Sequence, residues 1–439
     1  MKNRTFIPAF IINSNNSTYG TETVLDEFLG KEEFLVNIVP PVIDENNVIS
    51  LPKTIQHIIR KVMVTDIDCV LICQDDHRFT DSYSKNNLFE CISQAKELGA
   101  DILCGGLGIF RSALRVSKHI FWVEDFAGLP FTIIFRSFFE PILTSDYEIF
   151  PFSNGKFFIY PFISLKKEPV RDNASPINTE ISRTENERGW ASAQVEILDN
   201  ISAFYKEFSG QKQGDFNEDE FDDVAIPTYI INLPERPERL DHIKKQFVGK
   251  DEFNVQIIEA CRNPIGAVGL WESIRKIVKI AMDNEDDVII ICEDDHQFTA
   301  DYSKSLLLKN ILEANEQHTE MISGGICEFH KALPVTANRA WVSTSFCTQF
   351  IILYKPVFNK ILDTPYDDTV TADAMLSTIV SNKMVFFPFI SAQKPFGYSD
   401  VTKGNHENIE LFARSFYREN TRLKRIYEAR ATYSSLQMY

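Results

Sequence analysis

The chain has no run of about 18–20 apolar residues, the length a membrane-spanning helix requires. Its most apolar stretch, FAGLPFTIIFRSFF at 126–139, is short and interrupted by Arg136. Positive charge is not in excess either. The 45 Lys and Arg stand against 62 Asp and Glu, a formal net charge of −17, which argues against nucleic acid or an anionic membrane as partner. No Cys-x-x-Cys or Cys/His ligand spacing occurs among the eight scattered cysteines. This argues against a zinc site or a disulfide framework and predicts buried free thiols in a reducing cytosol. The opening MKNRTFIPAF lacks the apolar core and cleavage site of a secretory signal, so the expected location is cytoplasmic.

What is present is a repeat. Residues 73–80 read CQDDHRFT, and 219 positions later residues 292–299 read CEDDHQFT. The same offset aligns PAFIIN (8–13) with PTYIIN (227–232), FLGKEEFLV (28–36) with FVGKDEFNV (247–255), and Trp122 with Trp341. Across 73–110 against 292–329, 16 of 38 positions are identical. PFIS at 161–164 then matches PFIS at 388–391 at an offset of 227, so the second copy has gained eight residues in between. A period this long far exceeds the ~20–50 residues of solenoid units and marks two whole domains. The expected organisation is a domain at 1–208, an acidic linker at 209–224 and a second domain at 225–439.

Each copy alternates short β-rich runs with helical spacings. In GLWESIRKIVKIAMDN (269–284), apolar residues recur at Leu270, Ile274, Ile277, Val278 and Ile280–Ala281. The unbroken DDVIIICEDD has the pattern of a strand buried on both faces of a mainly parallel sheet. This predicts an α/β, Rossmann-like fold in tandem, with ligands at the carboxyl ends of the strands. Glu293, Asp294 and Asp295 lie at such an end. On an extended chain Glu293 and Asp295 share one face, while Asp294 and His296 share the other. Converging carboxylates suit a hard divalent cation that also binds phosphate. His77 and His296 fit a hydrogen-bond network beside the acids better than a metal site.

Three segments of the second copy resemble, in order, glycosyltransferase family 25, the lipooligosaccharide and collagen galactosyltransferases. They are YIINLPERPERL (229–240), GAVGLWESI (266–274) and the strand ending CEDD (292–295). TADAML (371–376) and FGYSDV (396–401) echo later segments of the family, and Ile274 stands where the family usually has His. The resemblance implies two GT-A-like domains, a nucleotide-sugar donor, commonly a UDP-sugar, and inversion at the anomeric carbon.

Under that resemblance Asp295, with Glu293 or Asp294, would hold Mn²⁺ or Mg²⁺ against the leaving diphosphate. Asn232, Arg236, Arg239, Gly266, Gly269, Ser273, Glu293 and Asp294 would surround the donor. The arginines are read as planar forks for phosphate, and the glycines as positions of close backbone approach. Asp373 is the candidate base and Asp400 the second choice. The acceptor would be a glycan, a lipid-linked group or a protein. A nucleotidyltransferase uses similar groups, and a non-catalytic nucleotide- or sugar-binding protein could keep them without turnover.

The first copy differs where the chemistry is placed. Arg236, Arg239 and Glu293 become Ser17, Gly20 and Gln74. Gly266, Gly269 and Ser273 become Asn47, Ser50 and Thr54, and Asp400 becomes Ser192. The eight-residue deficit removes most of the segment around Asp373. A degenerate first domain beside a catalytic second one is the expectation; the alternative is a different donor bound through Asp75 and Asp76.

Overall fold

In a computed structural model, the described residues are 6–13, 24–46, 48–128, 131–145, 153–166, 181–209, 221, 223–397 and 409–434. Most of the expected linker and Asp400 lie outside them. The chain divides into two compact units, Met1–Asn200 with Ala429–Tyr439, and Ile201–Glu428. These bounds depart from the expected ones at both long helices. Ile181–Ser209 runs through residue 200, and Ile409–Ser434 runs through residue 428. Near its end the latter sets Tyr433 edge-on to Phe157, within the first unit.

The first unit is built on β1 (Ile7–Ile12), β2 (Phe34–Val39), β3 (Cys69–Gln74), β4 (Ile102–Cys104), β5 (Ala113–Arg115), β6 (Ile120–Val123), β7 (Phe131–Phe135) and β8 (Lys156–Ile159). They form one sheet in the order β2-β1-β3-β7-β4-β8-β6-β5. Helix α1 (Leu51–Val62) crosses between β2 and β3. Its N-cap Ser50 accepts from the Lys53 N–H, and Ile55, Ile58, Ile59 and Val62 are buried.

The second unit repeats the plan with β9 (Ile226–Asn232), β10 (Phe253–Glu259), β11 (Val288–Glu293), β12 (Met321–Ser323), β13 (Ala332–Pro334), β14 (Arg339–Val342), β15 (Phe350–Tyr354) and β16 (Lys383–Phe386). Their order, β10-β9-β11-β15-β12-β16-β14-β13, is the same. Six of the eight strands in each sheet run one way, and β6, β7, β14 and β15 run against them. Register is shared as well: Phe131 faces Cys73 as Phe350 faces Cys292, both at the 219 offset. The protein is thus an α/β molecule with two tandem Rossmann-like units.

Three helices of the second unit position the site: α2 (Pro237–Gln246) after β9, α3 (Gly266–Asp283) after β10, and α4 (Ala372–Ile379). On α3 the helical spacing places Trp271, Ile274, Ile277, Val278 and Ala281 in the core, leaving Leu270 and Ile280 partly buried. The β11 run is buried on both faces because β9 and β15 flank it. Parallel pairing brings Asn232 beside Glu259 and Ile231 beside Glu293, so the carboxyl ends of three strands open on one edge.

Candidate functional site

A cavity of about 910 Å³ opens at that edge. Asn232, Arg236, Arg239, Gly266, Gly269, Ser273, Glu293, Asp294, Asp295 and Asp373 all line it. Residues up to 141 positions apart in sequence (Asn232 to Asp373) therefore share one wall system. Asp400 lies outside the described residues.

The acids sit just past the point where β11 ends. Glu293 closes the strand, Asp294 and Asp295 form a turn, and His296–Phe298 returns as a short strand paired with Ser391–Gln393. Asp294 is buried and fully engaged: Asn232 Nδ2 donates to Oδ2 at 2.9 Å and Arg239 Nη1 to Oδ1 at 2.8 Å. Asp295 Oδ2 accepts from Gln393 Nε2 at 2.9 Å, with Arg239 Nη1 at 3.5 Å. The other oxygen, Asp295 Oδ1, is buried with no hydrogen-bond donor. Glu293 Oε1 accepts from the Thr348 hydroxyl at 2.7 Å. Burial raises the Glu293 and Asp295 pKa values; the Asp295 charge pushes Glu293 further, while Arg239 opposes the rise on Asp295.

Arg239 does not stand open as a phosphate fork. It is 5% exposed, joins both aspartates and lies 4.8 Å from the Phe396 ring. Arg236, at the N-cap of α2, keeps a half-buried place on the cavity wall. The two small-residue positions likewise serve the wall. A Cβ on Gly269 would lie 2.6 Å from the Cys261 carbonyl, so glycine lets the 261–263 loop rest against α3 rather than exposing backbone to a ligand. Ser273 Oγ donates to Gly269 O at 2.7 Å and accepts from Cys261 N at 2.8 Å. Thr54 makes the same two bonds, to Ser50 O and from Val42 N, in the first unit. Gly266 opens α3, whose N-cap Ile265 offers no side-chain cap, so the positive end of an 18-residue helix meets the cavity.

Asp373 stands in the first turn of α4. Its Oδ2 accepts from the Cys347 N–H at 2.9 Å, and its Oδ1 accepts from Ala374 N at 2.9 Å and from the Thr371 hydroxyl. One lone pair of Oδ2 remains for a proton.

The residues suit a divalent cation. Two desolvated, mutually repelling carboxylates, one with an oxygen lacking any donor, form an all-oxygen set. Among the described residues no group of three or more His, Cys, Asp or Glu is placed to hold a metal ion, so the chain offers a pair of carboxylates. One or two carboxylates completed by ligand phosphates is the usual Mg²⁺ arrangement. His296 is not part of it. Its Nδ1 shares a 2.7 Å hydrogen bond with Ser391 Oγ, and burial holds its pKa down to about 3.

No known family and no curated protein matches the chain. Among solved structures it is similar to the crystal structure of apo UDP-glucose pyrophosphorylase, with 10% identity and a TM-score of 0.26, over 44% of this chain and 82% of that one.

The first unit shows what happens to the same acids in another setting. His77 bonds Ser164 Oγ at 2.8 Å as His296 bonds Ser391. Lys166 occupies the pairing position of Gln393, facing His77 as Gln393 faces His296. Its Nζ lies 3.2 Å from Asp76 Oδ2. The ammonium of an exposed lysine thus stands against the carboxylate that corresponds to Asp295, and Gln74 replaces Glu293.

Sequence reasoning missed several lining residues: Thr348, Gln393, Arg262, Cys327 and Cys347. Gln393 lies two residues beyond the repeated PFIS, and that anchor was its signal. Thr348 and Arg262 carried none. Contrary to the expectation of free thiols, Cys327 and Cys347 form a disulfide with Cα atoms 6.0 Å apart. The signal was visible in the repeat, where Gly108 and Gly128 hold those two positions.

Proposed function

We propose that the second unit is a metal-assisted glycosyltransferase that moves a sugar from a nucleotide-diphosphate donor, in the first instance a UDP-sugar, to a hydroxyl acceptor. The observation that carries this reading is the single cavity in which buried Asp295, with one oxygen lacking a donor, its neighbour Glu293, a helix N-terminus and a separate carboxylate on α4 meet. Asp295 and Glu293 would hold Mg²⁺ or Mn²⁺, which supplies charge neutralisation for the departing diphosphate. Asn232 and Arg239 fix Asp294 and thereby the turn that carries Asp295. Arg236 and the amide end of α3 face the phosphates. Asp373 accepts the acceptor hydroxyl's proton as its oxygen bonds the anomeric carbon, and the bond from that carbon to the diphosphate breaks with inversion. The first unit, with Lys166 against Asp76, holds no equivalent cation and serves a non-catalytic role.

The test is release of UDP by the full chain from a panel of UDP-sugars with Mn²⁺ or Mg²⁺, for the wild type and Asp295→Asn. UDP release abolished by the substitution is the expected result. Pyrophosphate released from a nucleoside triphosphate would establish a nucleotidyltransferase instead. Wild type and variant at the same background would establish a binding protein.

A further inference from the structure

Cys327 and Cys347 are the bonded pair among the described cysteines, and both line the cavity. Their surroundings converge on the two carboxylates of the proposed reaction. The Cys347 N–H donates to Asp373 Oδ2, and the next residue, Thr348, donates its hydroxyl to Glu293. One residue earlier, Phe346 O accepts from the Cys327 N–H at 3.2 Å, and Ser345 N donates to Ser377 Oγ on α4 at 3.0 Å. Segment 345–348 therefore touches both acids and the helix that bears one of them, and the disulfide fastens it to residue 327.

The backbone gives a second, independent observation. Cys347 has φ +84°, a left-handed conformation that side chains other than glycine's adopt reluctantly. The first unit makes the same turn with Gly128 at φ +88°, and Gly108 stands where the second unit has Cys327. The turn's shape does not require a cysteine. The second unit nevertheless carries a residue strained at this place, and its sulfur is tied.

We infer that the Cys327–Cys347 bond is a positioning element that holds segment 345–348 so that Asp373 and Glu293 keep their places, which makes turnover depend on redox state. This rests on the proposed role of Asp373. A dithiol reductant would pass two electrons and two protons to the sulfurs of Cys327 and Cys347. The S–S bond breaks, two thiols form, and the reductant leaves as its own disulfide. Freed from its tether, Cys347 can leave the left-handed region and carry its N–H away from Asp373.

The experiment uses the full chain, oxidised, reduced with dithiothreitol, and as the Cys327→Ser/Cys347→Ser double variant, which breaks the bond and keeps a side chain at the strained +84° position. Alkylation after denaturation should count six thiols in the oxidised chain and eight in the reduced one, the six free cysteines plus the bonded pair. Hydrogen exchange of segment 343–350 is expected to speed about tenfold on reduction and in the variant. The rate of UDP release should fall about tenfold in kcat, with KM for the UDP-sugar changed by less than about threefold. Exchange that does not change on breaking the bond overturns the inference, and so does faster exchange with an unchanged kcat. Faster exchange in a chain whose oxidised form releases no UDP from any donor leaves the clamp standing and refutes the transferase reading instead.

Discussion

Removing the Arg239 guanidinium leaves Asp294 and Asp295 buried, adjacent and without their cation. For Arg239→Met we expect a loss of about 3–5 kcal/mol in denaturant unfolding, the range for stripping one partner from a buried pair. Asp295→Asn should act in the opposite sense on stability. It removes one of two repelling carboxylates whose charged forms burial already disfavours, so the unfolding midpoint should hold or rise while UDP release falls by at least about a hundredfold. The variant should also lose the thermal stabilisation that Mn²⁺ plus UDP gives the wild type. A stabilised but inactive Asp295→Asn separates function from folding in one substitution. At this scale the acids were legible because the repeat singled out Asp75–Asp76 and Asp294–Asp295. The destination of Arg239 was not, since spacing along a helix says nothing of which buried charge lies one strand away.

Among elements, α3 and the loop before it define one rim of the cavity. Ser273 ties Cys261 to the first turn, and Gly269 gives the loop room. Gly269→Ala would press a methyl onto the Cys261 carbonyl, so we expect about 1–3 kcal/mol of destabilisation and, by NMR or crystallography, a loop displaced from α3. The helix itself was readable from its apolar spacing. The end of β11 was not, because alternation was extended through Asp295. The strand stops at Glu293 because the chain turns there to pair His296–Phe298 with Ser391–Gln393, some 95 residues later. A partner that remote leaves no local mark on the acidic turn.

Across the whole molecule, both units bury a neutral histidine in the same place, and this sets an acid limit on the fold. His77 is fully buried with its pKa lowered to about 3 by desolvation. The unfolded chain takes up this proton below about pH 6.5, and the folded chain does not until about pH 3. Stability is therefore intact above pH 6.5 and falls as pH drops through that window, by about 1.4 kcal/mol per unit for each such group. Thermal unfolding from pH 7 to 4 should show a falling midpoint, with a shallower slope in His77→Gln. The duplicated scaffold was open to sequence because the core repeats its residues. The extents of the two units were not, since the long helices Ile181–Ser209 and Ile409–Ser434 run through the unit bounds at residues 200 and 428. The disulfide left its trace in the repeat, where Gly108 and Gly128 hold the two cysteine positions; cysteine spacing alone does not reveal which two the fold brings within 6.0 Å.

Lys166 sets the first unit apart from the second at the position of Gln393. Glutamate at Gln74 would not by itself give the first unit the second unit's acidic pair, because the Lys166 ammonium stands 3.2 Å from Asp76. To carry the second unit's constellation the first would need changes at Ser17, Gly20, Gln74 and Lys166 and a segment to supply a counterpart of Asp373, so the two halves are separated by several substitutions and not by one.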